Sequence, residues 1–467
     1  MLFITGNIVV DPTGSLPQKI ASVRMLPTMS ASIPFLSRLR DRLLGEHTLL
    51  VLASIAVGLI AALAAVALKL GVNELTRLLH GWLFGSQRAL LVLVIPTTGI
   101  LLSVLFTRFW LNGDLGRGLP SLLREVREKE SVVAKHKLYS QVITSIVTMG
   151  AGGSAGMEAP IATTGAAFGS HLARWLQFDH ATRTLLLACG SAAGISAIFN
   201  APIAGAIFAM EVILVNVAIT QVAPVLIASA SAAFLSSLIY KGQPFVLITD
   251  SWNASALPWY IGLAFFGALV SAYGIRSYFF IGARLKTLKN VYLRAIIGGT
   301  VLGALILFFP PLLGEGYDGV LRLLHNEGAL LAEAAPINLH LGAWNLEFLV
   351  LGLMLLKVHA TAFTVHAGGN GGMFGSSLFT GAMTGFGFAH GINLLGFAHL
   401  NEVNFTVAGM AVVLSGTIHV PLTAVFLIAE ITGGYALFVP LMMVSALSYL
   451  VARGLVPYSV YSRPEKG

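Results

Sequence analysis

The sequence predicts an all-α protein that crosses a membrane many times, and three observations carry that prediction. Of its 467 residues, 56% are hydrophobic and only 10% are charged, where a soluble domain carries about 25% charge. Stretches without Asp, Glu, Lys or Arg lie between Glu46 and Lys69, Arg183 and Glu211, Glu211 and Lys241, and Asp250 and Arg276. Each is at least as long as the ~20 residues a helix needs to cross hydrocarbon. From Val358 to Ala452 the only formal charges are Glu402 and Glu430. Such a chain cannot cover itself with a solvated surface, and its uncharged runs leave no room for a soluble domain.

Residues 1–46 are rich in Ser, Pro and Arg and contain no apolar run followed by a small-residue cleavage site. They read as a cytoplasmic leader with a surface helix near Ile33–Leu44, not a removed signal peptide. The membrane domain is expected over residues 47–467. Basic residues gather before the first span (Arg38, Arg40, Arg42), in a mid-chain loop (Arg284, Lys286, Lys289, Arg294) and at the end (Arg453, Arg463, Lys466), while acidic ones collect between Glu315 and Glu347. Short basic loops face the cytoplasm, so both termini and the mid-chain loop are placed inside and the acidic loop outside. The net charge of +8 is thus a matter of topology, and no nucleic-acid partner is implied. The lone Cys189 excludes an intrachain disulfide and a Cys-rich metal site.

Glycine is concentrated in two segments, Gly150–Gly156 and Gly368–Gly375. A shift of 219 places Gly152 on Gly371, Gly156 on Gly375, Gly190 on Gly409, Ser196 on Ser415, Pro202 on Pro421 and Glu211 on Glu430. Recurrence of Gly, Pro and Glu at one offset marks an internal repeat, with halves of about 47–255 and 256–467. Broken helices in matching parts of two repeats point their ends at a shared midplane site, and irregular backbone at membrane depth is tolerated where it lines a cavity. Both Gly segments precede apolar helical runs, Ala159–Leu172 and Ser376–Phe388. Two helix N-termini, each carrying unpaired N–H groups and partial positive charge, are therefore expected to converge on an anion.

Glu158, in Gly156-Met-Glu-Ala-Pro160, stands ahead of the first of these helices. An ionisable group inside a membrane segment is a functional candidate by default, here a protonatable gate; capping of its own helix is the bland alternative. Pro160 suits the first turn of that helix. Glu211 and Glu430, each nine residues after a repeat-related proline, read first as structural groups at helix ends. Lys357 and His359 read as side chains snorkelling to a membrane boundary. Gly152-Gly-Ser154-Ala-Gly156 also fits the nucleophile elbow of a serine hydrolase, with His366 and His419 downstream. That elbow needs a strand–turn–helix setting, and the repeat mate of Ser154 is Met373, so the hydrolase reading is disfavoured.

Lys357 to Gly385, containing Gly-Gly-Asn-Gly-Gly-Met-Phe-Gly-Ser, closely resembles a signature stretch of the ClC chloride channel and transporter family. Gly152 to Pro160 is similar to that family's gate motif, G-[KR]-E-G-P, and Gly314-Glu-Gly-Tyr-Asp318 and Cys189-Gly-Ser-Ala-Ala-Gly194 match further landmarks. The resemblance spans about residues 48–463. It implies an inverted internal repeat with tilted and broken helices, and a homodimer with one pore per subunit in membrane lipid. It further implies a cargo of chloride, with or without exchange for protons, no cofactor and no enzymatic activity. The chain ends soon after its last helix, so the cytoplasmic CBS pair of many relatives is expected to be absent, as in prokaryotic members of a bacterial inner membrane.

Residue by residue, the resemblance assigns Glu158 as the gating glutamate and Gly156, Met157, Met373 and Phe374 to the anion path. The family's G-x-F-x-P has Ser376 in place of its proline. For the pore tyrosine, Val460-Tyr461-Ser462 fits better than Pro457-Tyr458-Ser459. Gly116-Arg117-Gly118-Leu-Pro120 matches G-S-G-I-P, so Arg117 and Gly118 join the anion-binding set, with Arg117 replacing a hydroxyl donor. Met157 replaces a basic residue beside the gate. Val212 stands where proton-coupled members often carry an inner glutamate, which leaves Glu211 as the candidate for a proton path. The departure at Arg117 leaves fluoride or nitrate open as alternative cargo, and a non-conducting homologue remains a further reading.

Overall fold

The computed structural model describes residues 45–83, 89–116, 118–214, 218–241, 251–333, 342, 344–433 and 435–463. Arg117 and the leader with its expected helix near Ile33–Leu44 lie outside the described residues. Among the described residues there are seventeen α-helices and no strand, and eight helical stretches are long and apolar enough to cross a membrane. The all-α polytopic expectation holds.

The first half runs through α1 (Glu46–Leu83), α2 (Ala89–Trp110), α3 (Gly118–Glu128), α4 (Ser140–Gly150), α5 (Glu158–Trp175), α6 (His180–Phe199), α7 (Pro202–Val212) and α8 (Ile219–Ile239). The second half holds α9 (Leu257–Lys286), α10 (Val291–Phe308), α11 (Tyr317–Leu324), α12 (Gly328–Glu333), α13 (Trp344–Ala367), α14 (Met373–Leu394), α15 (Glu402–Ile418), α16 (Pro421–Ile431) and α17 (Phe438–Leu455). The shift of 219 maps α7 onto α16 at both ends and the start of α8 onto the start of α17.

The backbone repeats as well. Helix α6 ends on Asn200 at φ 55°, ψ 41°, and α15 on its mate His419 at φ 65°, ψ 45°. A left-handed residue stops a helix, and the proline two residues on begins the next one, where its missing N–H costs nothing. Packing in lipid depends on close approach of backbones through small residues. Helices α5 and α6 meet at Gly165 and Gly190, and α14 and α15 at Gly381 and Gly409. A Cβ on Gly190 would run into the Gly165 carbonyl, and one on Gly409 into the Gly381 carbonyl. Buried hydroxyls then stitch neighbouring helices, Ser196 donating to the Ser229 carbonyl and Ser415 to the Ser445 carbonyl, both at 2.7 Å.

The two deep acids are exchanged between the halves. Glu211, in the last turn of α7, reaches the start of α16: one oxygen accepts from the Leu422 N–H (3.2 Å), the other from the Thr423 N–H (2.9 Å) and hydroxyl (2.7 Å). Glu430, in the last turn of α16, accepts from Ile203 N–H (3.0 Å) and Ala204 N–H (2.7 Å) at the start of α7. Each helix thus has its orphan N-terminal donors met by a carboxylate from the opposite half, which also suits the helix dipole.

Candidate functional site

The Gly-rich breaks meet at the centre of the fold. Gly156 and Gly372 exchange two backbone hydrogen bonds of 2.9 Å as an isolated antiparallel bridge. The buried Asn370 clamps the second break to α4: its side-chain amide donates to the Gln141 carbonyl (3.0 Å), Gln141 Oε1 (3.0 Å) and Thr144 Oγ1 (2.8 Å). In return the Ser154 N–H donates to Thr364 Oγ1 of α13 at 3.0 Å. These cross-links bring the first turns of α5 and α14 together, starting at Glu158 and Met373, one and three residues ahead of the expected starts.

Glu158 is 1% exposed. One carboxylate oxygen accepts from the Tyr317 hydroxyl at 3.1 Å and the other from the Gly375 N–H at 3.2 Å. The acid therefore starts α5 while resting on a first-turn amide of α14, one of that helix's orphan donors. Met373 and Phe374 are buried beside it in the same turn, and the Phe374 ring packs 5.8 Å from Phe199 and 6.0 Å from Phe208.

The two candidate tyrosines part company. The buried Tyr461 hydroxyl has no hydrogen-bond partner among the described residues, and a Cβ on Gly372, the N-cap of α14, would lie 3.3 Å from it. Tyr458 instead packs its ring on Phe279 and beside Arg463. Gly118 opens α3 at φ +60°, and a Cβ there would lie 3.8 Å from that of Ala159, so this third helix start also abuts α5. Ser154 Oγ is buried with no hydrogen-bond partner among the described residues, so no described histidine is bonded to it as a base.

Several functional candidates escaped the sequence reading. Lys357 does not snorkel: it is 0% exposed, and its ammonium donates to the carbonyls of Leu312 (3.2 Å) and Gly314 (2.7 Å) and lies 4.9 Å from the Phe379 ring centroid. The turn at Pro310 and Pro311 frees carbonyls at that depth, and a buried amine meets them. Glu315, in the same loop, accepts from the Met157 N–H at 3.2 Å. Its available signal is a second Gly-x-Gly: Gly116 and Gly118 recur as Gly314 and Gly316, all at positive φ, but with a shift of 198 instead of 219. Lys137 is also buried, paired to Glu125 of α3 at 2.8 Å and donating to Ser121 Oγ at 2.8 Å.

A cavity of about 600 Å³ opens onto Glu158, lined by Lys69, Met157, Tyr240, Glu315 and Tyr317 among others. Its walls combine three carboxylates (Glu158, Glu315 and Asp318) with the cations Lys69 and Arg322. A small anion seated at Gly375 would meet the groups that now hold the Glu158 carboxylate.

A family model described as voltage gated chloride channel matches residues 98–453. A ClcB-like protein of Ralstonia nicotianae is 30% identical over 431 residues, covering 87% of this chain and 94% of its own. Among solved structures, a slow cyanobacterial Cl−/H+ antiporter superposes with a TM-score of 0.75 at 20% identity, covering 90% of this chain and 97% of its own. A CLC-type fluoride/proton antiporter gives 0.73 at 19% identity, with 89% and 97% covered.

Proposed function

The chain belongs to the voltage-gated chloride channel family, that is, to integral membrane proteins of anion transport, and from that premise we propose that it moves chloride past a gate formed by Glu158. The observation that carries this is the Glu158 carboxylate resting on the Gly375 N–H at the start of α14. An ionised carboxylate there takes the donor a permeating anion needs. A protonated one loses its attraction to that amide and to the helix dipole and yields the place. Tyr461, Met373, Phe374 and Gly118 would form the inner part of the path, with hydrogen bonds replacing the anion's hydration.

Under this reading Glu211 is a cap, because each of its oxygens already serves α16. The basic loops face the cytoplasm, and the cavity with Glu315 opens outward. The chain acts as a homodimer, with the α7, α8, α16 and α17 faces, where Ile203, Phe234, Leu422 and Met442 are exposed, as the surfaces between subunits.

The test is efflux from proteoliposomes loaded in turn with chloride, fluoride and nitrate, with proton movement recorded at the same time. Chloride should leave faster than fluoride, and faster still as the pH falls; Glu158→Gln should abolish that pH response. Fluoride outrunning chloride would transfer the proposal to fluoride. A pH response surviving intact in Glu158→Gln would remove the gate from Glu158.

A further inference from the structure

Glu315 is left over by this account, and it stands where such a group has an effect. Its Gly-x-Gly turn, with Gly314 at φ 56° and Gly316 at φ 84°, carries the intervening side chain into the cavity that opens on Glu158. The loop is pinned from behind by the Lys357 ammonium on the Leu312 and Gly314 carbonyls. From it, Glu315 Oε1 reaches the Met157 N–H at 3.2 Å. Met157 is the N-cap of α5, so this amide points from the start of the very helix that supplies Glu158.

The two acids are therefore staggered. Glu158 leaves α5 to occupy an amide of α14, and Glu315 occupies the amide at the start of α5. We infer that Glu315 is a second tethered anion on the path, which an ion entering through the cavity must displace before it reaches Glu158. This rests on the reading of Glu158 as the gate.

The surroundings fit a displaceable ligand better than a fixed cap. Glu211 takes a backbone donor on each oxygen, whereas the one hydrogen bond of Glu315 among the described residues is to Met157. The charged and titratable groups facing it are Glu158 of α5, Tyr317, Asp318 and Arg322 of α11, Lys69 of α1, whose ammonium lies 4.7 Å from the Tyr240 ring centroid, and Lys357 of α13. Lys69, Lys357 and Arg322 against Glu158, Glu315 and Asp318 leave the surroundings near charge balance. Room for a free anion arises when one carboxylate withdraws, and Lys69, which lines the cavity, stays behind to receive it.

Chloride binding to the detergent-solubilised protein, by calorimetry, and chloride uptake into proteoliposomes together test this. Removing a charged competitor for an amide should tighten chloride binding by about tenfold in Glu315→Ala, which is about 1.4 kcal/mol. Glu315→Asp, one methylene too short to keep the Met157 contact, should shift almost as far. Glu315→Gln, which keeps the contact without the charge, should shift partway, and it carries the test if the alanine variant fails to fold. Asp at the wild-type value with a tightened Ala would mean that charge at a distance is responsible and would overturn the tether. All three variants at the wild-type value, while Glu158→Gln alters binding, would remove Glu315 from the path and leave the gate standing. A wild-type protein that neither binds nor moves chloride would defeat the gate reading, and this inference with it.

Discussion

The rim of the molecule obeys its repeat and the centre breaks it. At the rim, Glu211 caps α16 and Glu430 caps α7, Asn200 and His419 end equivalent helices in the same left-handed conformation, and Pro202 and Pro421 restart the chain. At the centre, the repeat mate of Glu158 is Ser377, which donates to the Met373 carbonyl one turn earlier in α14 at 2.7 Å. Where a residue holds two halves together, the same chemistry is needed twice. At the Glu158 site the repeat offers no matching helix start, and a second carboxylate at position 377 would add a buried charge without a donor to hold it.

The sharpest way to break this contrast is to cut the paired caps one at a time. Glu211→Ala and Glu430→Ala should each lower the unfolding free energy by about 2 kcal/mol, the cost of orphaning helix-start donors in a place without water. The two losses should agree closely and leave the pH dependence of flux alone. Thermal melts of the detergent-solubilised variants read the stability, and proteoliposome flux reads the rest. If Glu211→Ala alone altered proton movement, the rim would be asymmetric after all and Glu211 would be a proton carrier.

A smaller effect separates the tyrosines. Tyr461→Phe removes a hydroxyl aimed at the start of α14 and should weaken chloride binding by about tenfold, the worth of one hydrogen bond to a charged ligand. Tyr458→Phe should leave binding unchanged, because its ring packs on Phe279 outside the path. Calorimetric titration of both variants decides it, and equal losses would dissolve the distinction.

Much of the rim was legible because it is built from residues whose backbone chemistry is distinctive. Gly190 and Gly409 mark close helix approaches, Pro202 and Pro421 mark helix starts, and their recurrence at one offset exposes the repeat. The convergence of the Gly breaks followed from the same pattern. The Glu315 loop was hidden for a physical reason. The contact between Glu315 and Met157 joins residues 158 positions apart, and no local periodicity encodes it. The Gly-x-Gly patterns at 116–118 and 314–316 fall out of register with the rest of the repeat, so a search at a single offset passes over them. Lys357 was misread because a lysine among apolar residues suggests escape to the boundary. Here the carbonyls of a proline-broken loop come to the amine instead.

Crystals soaked in bromide test directly whether the Glu158 carboxylate stands in an anion's place. In Glu158→Gln, an anomalous peak should lie within hydrogen-bond distance of the Gly375 N–H, where the wild-type protein carries its carboxylate and shows no peak. Bromide at Gly375 in both proteins, or in neither, would contradict the claim that Glu158 and the permeating anion compete for one site.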